Sequence, residues 1–156
     1  MREIKFRGWD QKEKKMYSPK ELADLAGLWF EQKEDGSLEI SLIEDSFGVR
    51  RQFKKMQYTG LKDKNGVEIY EVDIVQWLDN DDGEPNAAEV KCGVGEFDGG
   101  HYKYIGFYLE VDGRILEPNE VTNMVTDTKW YKYEVIGNIF IADAINSWIR
   151  KEWTNE

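Results

Sequence analysis

Met56-Gln57-Tyr58-Thr59-Gly60-Leu61-Lys62-Asp63-Lys64-Asn65-Gly66-Val67-Glu68-Ile69-Tyr70-Glu71-Val72-Asp73-Ile74-Val75 reads as strand, tight turn, strand, and a second bend into a third strand. Asn65-Gly66 is the strongest short hairpin signal in the chain. Both residues tolerate positive φ, which a type I′ turn demands. Ile74 to Leu78 then runs almost continuously apolar, as a well-buried strand does.

Working outward toward the N-terminus, Glu3 to Trp9 alternates, with Ile4 and Phe6 on one side and Lys5 and Arg7 on the other, and Lys15-Met16-Tyr17 returns as a partner strand after a polar turn. Ser18-Pro19-Lys20-Glu21 predicts a helix start: Ser18 can accept from the Glu21 amide, Glu21 can reach back, and Pro19 needs no N–H there. Leu22, Leu25 and Ala26 line one face of that helix before Gly27 offers a stop. Leu28-Trp29-Phe30 and Leu38 to Ile43 flank Glu34-Asp35-Gly36-Ser37 as a hairpin with a loose turn.

Toward the C-terminus, Asp79 to Asn86 is an acidic loop. Ala87 to Phe97, Tyr102 to Val111, Arg114 to Leu116 and Lys129 to Ile136 predict further strands. The period then changes: Ile141, Ile145, Trp148, Ile149 and Trp153 recur at spacings of three and four, so residues 142–153 predict an amphipathic helix.

The chain has 156 residues and a net charge of -10, unevenly spread. Residues 1–60 hold 12 Lys/Arg and 11 Asp/Glu, a net of +1; residues 61–156 hold 9 and 20, a net of -11. An acidic second part is ill suited to nucleic acid, which is bound by cations that neutralise phosphates. Lys12, Lys14, Lys15, Arg50, Arg51, Lys54 and Lys55 of the first part read as solvated strand and turn faces. A lone Cys92 excludes an internal disulfide and any CxxC site. No positively charged start runs into an apolar stretch, so no signal peptide is expected, and apolar windows such as Ile105 to Leu109 are too short to span a bilayer. A cytoplasmic protein is expected.

Three blocks point to a family: Arg2-Glu3-Ile4-Lys5-Phe6-Arg7-Gly8-Trp9-Asp10, the Met56 to Val75 segment, and Tyr133-Glu134-Val135-Ile136-Gly137-Asn138-Ile139. Together, in this order over residues 2–139, they resemble the YopX family of phage and prophage proteins. Val72 departs from the family pattern, which usually has Gly there; this weighs against a positive φ at that residue but not against the strand after it. The resemblance implies a C-terminal domain similar to an SH3-type barrel, a smaller α+β part before it, and a phage or prophage origin. It carries no enzymatic activity and no catalytic residues.

No catalytic constellation emerges from the residues themselves. His101, the one histidine, lies in the Gly-rich turn Asp98-Gly99-Gly100-His101, and reads as an exposed turn residue rather than a base. Cys92 reads as a semi-buried strand thiol, although a Cys92–His101 dyad across a hairpin is conceivable. Asp79-Asn80-Asp81-Asp82-Gly83-Glu84 fails the EF-hand template, because Gly83 at the sixth position puts Leu78 at the first; an irregular cation site within 79–84 stays open. Gly93-Val94-Gly95 has two glycines rather than three and no following helix, so it is not a dinucleotide loop. Glu71 and Asp73 read as a surface pair. Tyr102, Tyr104, Phe107, Tyr108, Trp130, Tyr131 and Tyr133 read as mostly core, with peptide binding or base stacking open to any exposed ring.

The expected architecture is therefore mainly β, α+β overall. An N-terminal α+β subdomain covers residues 1–50, and an SH3-like β-barrel with a C-terminal helix covers 51–156. The expected function is a non-enzymatic protein-binding module with no catalytic residue, metal or cofactor. The alternatives are a nucleic-acid-interacting protein using the basic residues of the first part, an acidic nucleic-acid mimic whose carboxylates over 63–120 share one face, and, last, an unrecognised hydrolase. Self-association through Trp148, Ile149 and Trp153, or docking of that helix on its own barrel, is also expected.

Overall fold

The computed structural model describes residues 3–44, 46–78, 85–97, 102–111, 114–115 and 133–141. The chain divides into two compact units, Met1–Tyr58 and Thr59–Glu156. Residue 50, where the sequence pattern suggested a boundary, begins a long strand, and that strand's pairing through Gln57 keeps residues 50–57 with the first unit.

In the first unit the strands are β1 (Phe6–Asp10), β2 (Lys15–Tyr17), β3 (Leu28–Gln32), β4 (Leu38–Ile43) and the start of β5 (Arg50–Lys62). All neighbours are antiparallel in the order β2-β1-β5-β4-β3. Helix α1 (Pro19–Asp24) forms for the expected reason. Ser18 Oγ accepts from the Glu21 amide at 3.2 Å, and the Ser18 amide donates to Glu21 Oε2 at 2.8 Å. It ends at Asp24, sooner than the apolar pattern suggested, because Leu25 is already extended. Leu22 is buried with Tyr17, Ile40 and Phe53, against which Phe6, Leu25, Leu28 and Leu42 pack. The helix comes so close to the sheet that a Cβ on Gly8 would lie 3.3 Å from Phe53 Cβ and 3.4 Å from Leu22 Cδ2.

In the second unit the end of β5 turns into β6 (Glu68–Tyr70), and β7 (Asp73–Leu78), β8 (Pro85–Phe97), β9 (Tyr102–Val111), β10 (Arg114–Ile115) and β11 (Glu134–Asn138) follow. The sheet order is β10-β9-β8-β7-β11, antiparallel throughout, and among the described residues it does not close into a barrel. Its core is Ile69, Val75, Ala88, Val90, Phe107, Tyr108, Leu109 and Tyr133, with Trp77 edge-on to Tyr133 at 5.5 Å. The predicted helix over 142–153, the loop 79–84 and residues 116–132 lie outside the described residues.

The Asn65-Gly66 hairpin is present, but its turn is not type I′. Gly66 has φ 80° while Asn65 does not have positive φ, and the Gly66 amide donates to Asp63 O at 3.0 Å. This is a type I turn followed by a left-handed Gly bulge. Asp63 selects it: its Oδ1 accepts from the Asn65 and Val67 amides at 2.8 and 2.9 Å, an arrangement that a side chain outside the turn dipeptide supplies. The Lys33–Ser37 turn repeats the pattern, with Gly36 at φ 84° and Asp35 Oδ1 accepting from Ser37.

Val72 is in the left-handed region at φ 64°, contrary to the sequence expectation. Its amide donates to Val90 O at 2.7 Å and its carbonyl accepts from Ile139 at 3.2 Å, so pairing on both sides holds a β-branched residue where it is strained.

Candidate functional site

Each outer block of the family resemblance pairs with the central block. β1 of the first block pairs with β5 of the central block, Phe6 opposite Gln57 through Asp10 opposite Phe53. β11 of the third block pairs with β7 of the central block, with a bulge between Val135 and Gly137. Asp63 Oδ2 accepts from the Val135 amide at 3.0 Å, and the Lys64 amide donates to Tyr133 O at 2.9 Å. These residues build turns and strand junctions: the Asp63 carboxylate is used on backbone amides, and Lys64 Nζ pairs with Glu134 Oε2 at 2.6 Å.

Asp73 belongs with them. It is 1% exposed and its Oδ2 accepts from the Tyr70 amide at 2.8 Å, so the expected Glu71–Asp73 surface pair is corrected: Asp73 is a buried turn clamp. An aspartate three residues after the amide that it caps was the available signal.

Ionisable side chains converge in several places among the described residues; one, Lys33 with Glu31 and Glu39 and Arg50 with Glu31, is an exposed ion-pair group on β3 to β5, and two others are more buried. In the first unit, Asp10 is fully buried, its Oδ1 accepting from the Lys12 and Glu13 amides at 2.9 and 3.2 Å. Arg51 lies against it, with Nε 3.2 Å from Asp10 Oδ2 and a terminal nitrogen 2.9 Å from Glu13 Oε1 and 3.4 Å from Glu44 Oε1. Tyr17 donates to Glu13 Oε2 at 2.8 Å. That bond and Arg51 hold the Glu13 carboxyl below its ordinary range. Burial opposes the Arg51 charge, but the Glu13 hydrogen bond and the three nearby carboxylates outweigh it and raise the guanidinium's pKa. Arg51 is thus an internal clamp, not the solvated residue the sequence suggested.

In the second unit, Glu89 stands opposite Glu110, and Lys91 opposite Tyr108, on β8 and β9. Lys91 Nζ is 2.6 Å from Glu110 Oε1, and that contact raises the Lys91 pKa. Burial raises Tyr108 and, more usefully, Glu89, whose neighbours Glu110 and Glu71 add to the effect while Lys91 opposes it. A lysine and a tyrosine pushed upward keep their protons at neutral pH and make poor nucleophiles or bases. Glu89 alone moves in the direction of a general acid. No His or Ser stands with it to form a relay among the residues described.

Of the other expected residues, Cys92 is exposed on β8, opposite Phe107, rather than semi-buried. Gly93 to Gly95 are strand residues, consistent with discounting a dinucleotide loop. Phe107, Tyr108 and Tyr133 are core, as expected for most of the aromatic set. His101, Trp130, Tyr131 and loop 79–84 lie outside the described residues, as do the side chains of Tyr102 and Tyr104. The described residues contain no cluster of three or more His, Cys, Asp or Glu side chains able to hold a metal, and no helix long and apolar enough to cross a membrane.

The YopX protein family model matches residues 5–142. The chain belongs to the YopX family. Two solved structures are similar to it. Protein EF1440 from Enterococcus faecalis is 24% identical with a TM-score of 0.49, covering 93% of this chain and 99% of its own. Protein yopX from Bacillus subtilis is 21% identical with a TM-score of 0.44, covering 90% and 94%. No curated protein matches the chain.

Proposed function

We propose that this YopX-family chain is a non-enzymatic accessory protein of phage or prophage origin that works in the bacterial cytoplasm by binding another protein. The observation that carries this reading is the β4–β5 turn, where Phe47 is 93% exposed and Val49 and Ile43 are exposed beside it. Single exposed apolar residues are ordinary, but two on the turn with Ile43 at the end of β4 make a contact patch for an apolar pocket. The charges support the reading by what they are already doing. Lys12, Lys15, Arg50 and Arg51 are ion-paired with Glu44, Glu21, Glu31 and the Asp10 cluster, so they are poorly placed to neutralise phosphates. Asp63 and Asp73 spend their carboxylates on backbone amides, which weakens a nucleic-acid mimic spread over 63–120. We read the second unit as an SH3-like roll, on the ground that its antiparallel strands follow the order β10-β9-β8-β7-β11 with the last strand returning beside β7.

The test is affinity capture from a lysogenic bacterial lysate with nuclease, comparing the parent with Phe47→Ser/Val49→Ser. A protein that survives nuclease and is lost with the double variant, while the circular dichroism is unchanged, supports the reading. Capture that nuclease abolishes, or that ignores the double variant, overturns it.

A further inference from the structure

Among the described residues, β3 is the longer end strand of the first unit's sheet, and no proline or bulge interrupts it. β3 is terminal in the order β2-β1-β5-β4-β3 and runs five residues, Leu28–Gln32, without proline and with Glu31 as its only charge. The opposite edge, β2, has three residues. Native proteins usually protect an exposed edge with short length, proline or charge, so a longer border carrying two exposed aromatics asks for a partner strand. Trp29 is 48% exposed and Phe30 52%, on opposite sides of the strand.

The hydrogen-bond phase says which backbone groups await that partner. Lys33 donates to Ser37 O and Ile43 donates to Gly27 O, and residues opposite each other on β3 and β4 sum to 70 in number. Antiparallel ladders bond at every second pair, so Trp29 and Glu31 are bonded to β4, while Leu28, Phe30 and Gln32 direct their N–H and C=O groups outward. Phe30 is in register with Ile40 and Phe53, so it forms the exposed rim of the cluster that Leu28 already packs on.

We propose that this border pairs with the same border of a second copy of the chain, antiparallel, about a two-fold axis at Trp29. An outward residue must meet an outward residue, and three such registers pair more than one residue of each β3. Pairing Phe30 with Gln32 of the copy sets Glu31 against Glu31. Pairing Phe30 with Phe30 leaves the two Glu31 side chains diagonal neighbours and puts Trp29 against Glu31. Pairing Leu28 with Phe30 sets Trp29 against Trp29, Leu28 against Phe30 twice, and separates the two Glu31 positions by four residues, about 13 Å along the strand. Like charges opposite each other are unfavourable and aromatic cross-strand pairs favourable, so the third register is selected. It also lays Leu28 and Phe30 of the copy beside Phe30, extending the apolar layer across the axis. The exposed Arg50, whose guanidinium lies 5.7 Å from the Trp29 ring and 3.3 Å from Glu31, flanks the pair as a neutralised rim. So short a border makes a small, reversible interface, associating in the range of about 10 µM to 1 mM.

The test uses the full chain with Cys92→Ser to remove the exposed thiol. In the selected register, residue 29 faces itself at a non-hydrogen-bonded site, where the Cβ atoms approach to about 4.5 Å, the upper limit a disulfide spans. Trp29→Cys is expected to give a disulfide-linked dimer under mild oxidation, severalfold more than Gln32→Cys. Sedimentation of the parent should shift from monomer toward dimer over the same concentrations, and Phe30→Lys should abolish the shift. Equal cross-linking at 29 and 32, preferential cross-linking of Phe30→Cys, a parent that stays monomeric throughout, or a dimer that survives Phe30→Lys overturns the proposal. Phe47→Ser lies outside β3 and tests the protein-binding reading separately.

Discussion

Glu89 and Glu110 stand directly opposite each other on β8 and β9, with the Lys91 ammonium 2.6 Å from Glu110 Oε1. Lys91 is engaged by Glu110, so Glu89 carries the cost of burial, and its carboxyl sits above the ordinary range. An acid with a raised folded-state pKa favours the fold below its unfolded pKa, and that contribution is lost as pH rises through the folded value. Glu89→Gln should therefore raise the melting temperature at pH 7 by about 1–3 °C, since partial exposure screens the effect. The gain should shrink to nothing near pH 4. Thermal scans at both pH values check this; an equal gain at both would mean that packing, not ionisation, is responsible.

Much of the framework was legible because its causes are local. Ser18, Pro19 and Glu21 specify a helix start within four residues, and Gly36 and Gly66 mark hairpins whatever turn surrounds them. What escaped the sequence depends on partners far along the chain. The buried state of Asp73 follows from the fold back onto Tyr70, and the engagement of Arg51 from β5 lying beside the β1–β2 turn. Cys92 was misread because Phe107, its cross-strand neighbour, is buried while the thiol itself is exposed. The candidate charged face on β8 and β9 was invisible for the same reason, since Glu89 and Glu110 lie 21 positions apart and meet only through strand register.

Val72 supplies the second prediction. A left-handed conformation costs an L-residue roughly 1–2 kcal/mol, and glycine adopts it without that cost but loses about 0.5–1 kcal/mol of unfolded-state entropy. Val72→Gly should stabilise the protein by up to about 1 kcal/mol in urea unfolding, whereas Val72→Ala, which keeps a Cβ, should gain less. A loss on Val72→Gly would show that the valine side chain contributes more by packing than its backbone costs.

Asp63 ties three amides, those of Asn65, Val67 and Val135, with its two carboxylate oxygens. The Asn65 and Val67 amides lie on an exposed turn where water can replace the carboxylate, and the Val135 amide is partly buried, so Asp63→Ala should lose about 1–3 kcal/mol. Asp63→Asn keeps one acceptor oxygen and should lose less. Hydrogen exchange separates the two ends of the clamp: if the retained oxygen stays on the turn, the Val135 amide should exchange faster in Asp63→Asn while the Val67 amide keeps its protection. Unchanged exchange at Val135 would mean that the third bond contributes nothing.

Arg51 and Lys12 both approach the Asp10–Glu13–Glu44 group, but only Arg51 faces a fully buried carboxylate. Removing one partner of a buried pair leaves an uncompensated charge and typically costs about 3–5 kcal/mol, while a solvent-exposed pair is worth about 0–1 kcal/mol. Arg51→Ala should accordingly destabilise the chain by about 3 kcal/mol, and Lys12→Ala by well under 1 kcal/mol. Adding Asp10→Asn to Arg51→Ala should recover part of the loss, because a neutral amide can still accept from the Lys12 and Glu13 backbone without an unpaired buried charge. Urea unfolding of the two single variants and the double variant decides it: strictly additive losses would show that Arg51 acts by packing on Phe53, whose ring lies 5.9 Å from its guanidinium, rather than by neutralising Asp10.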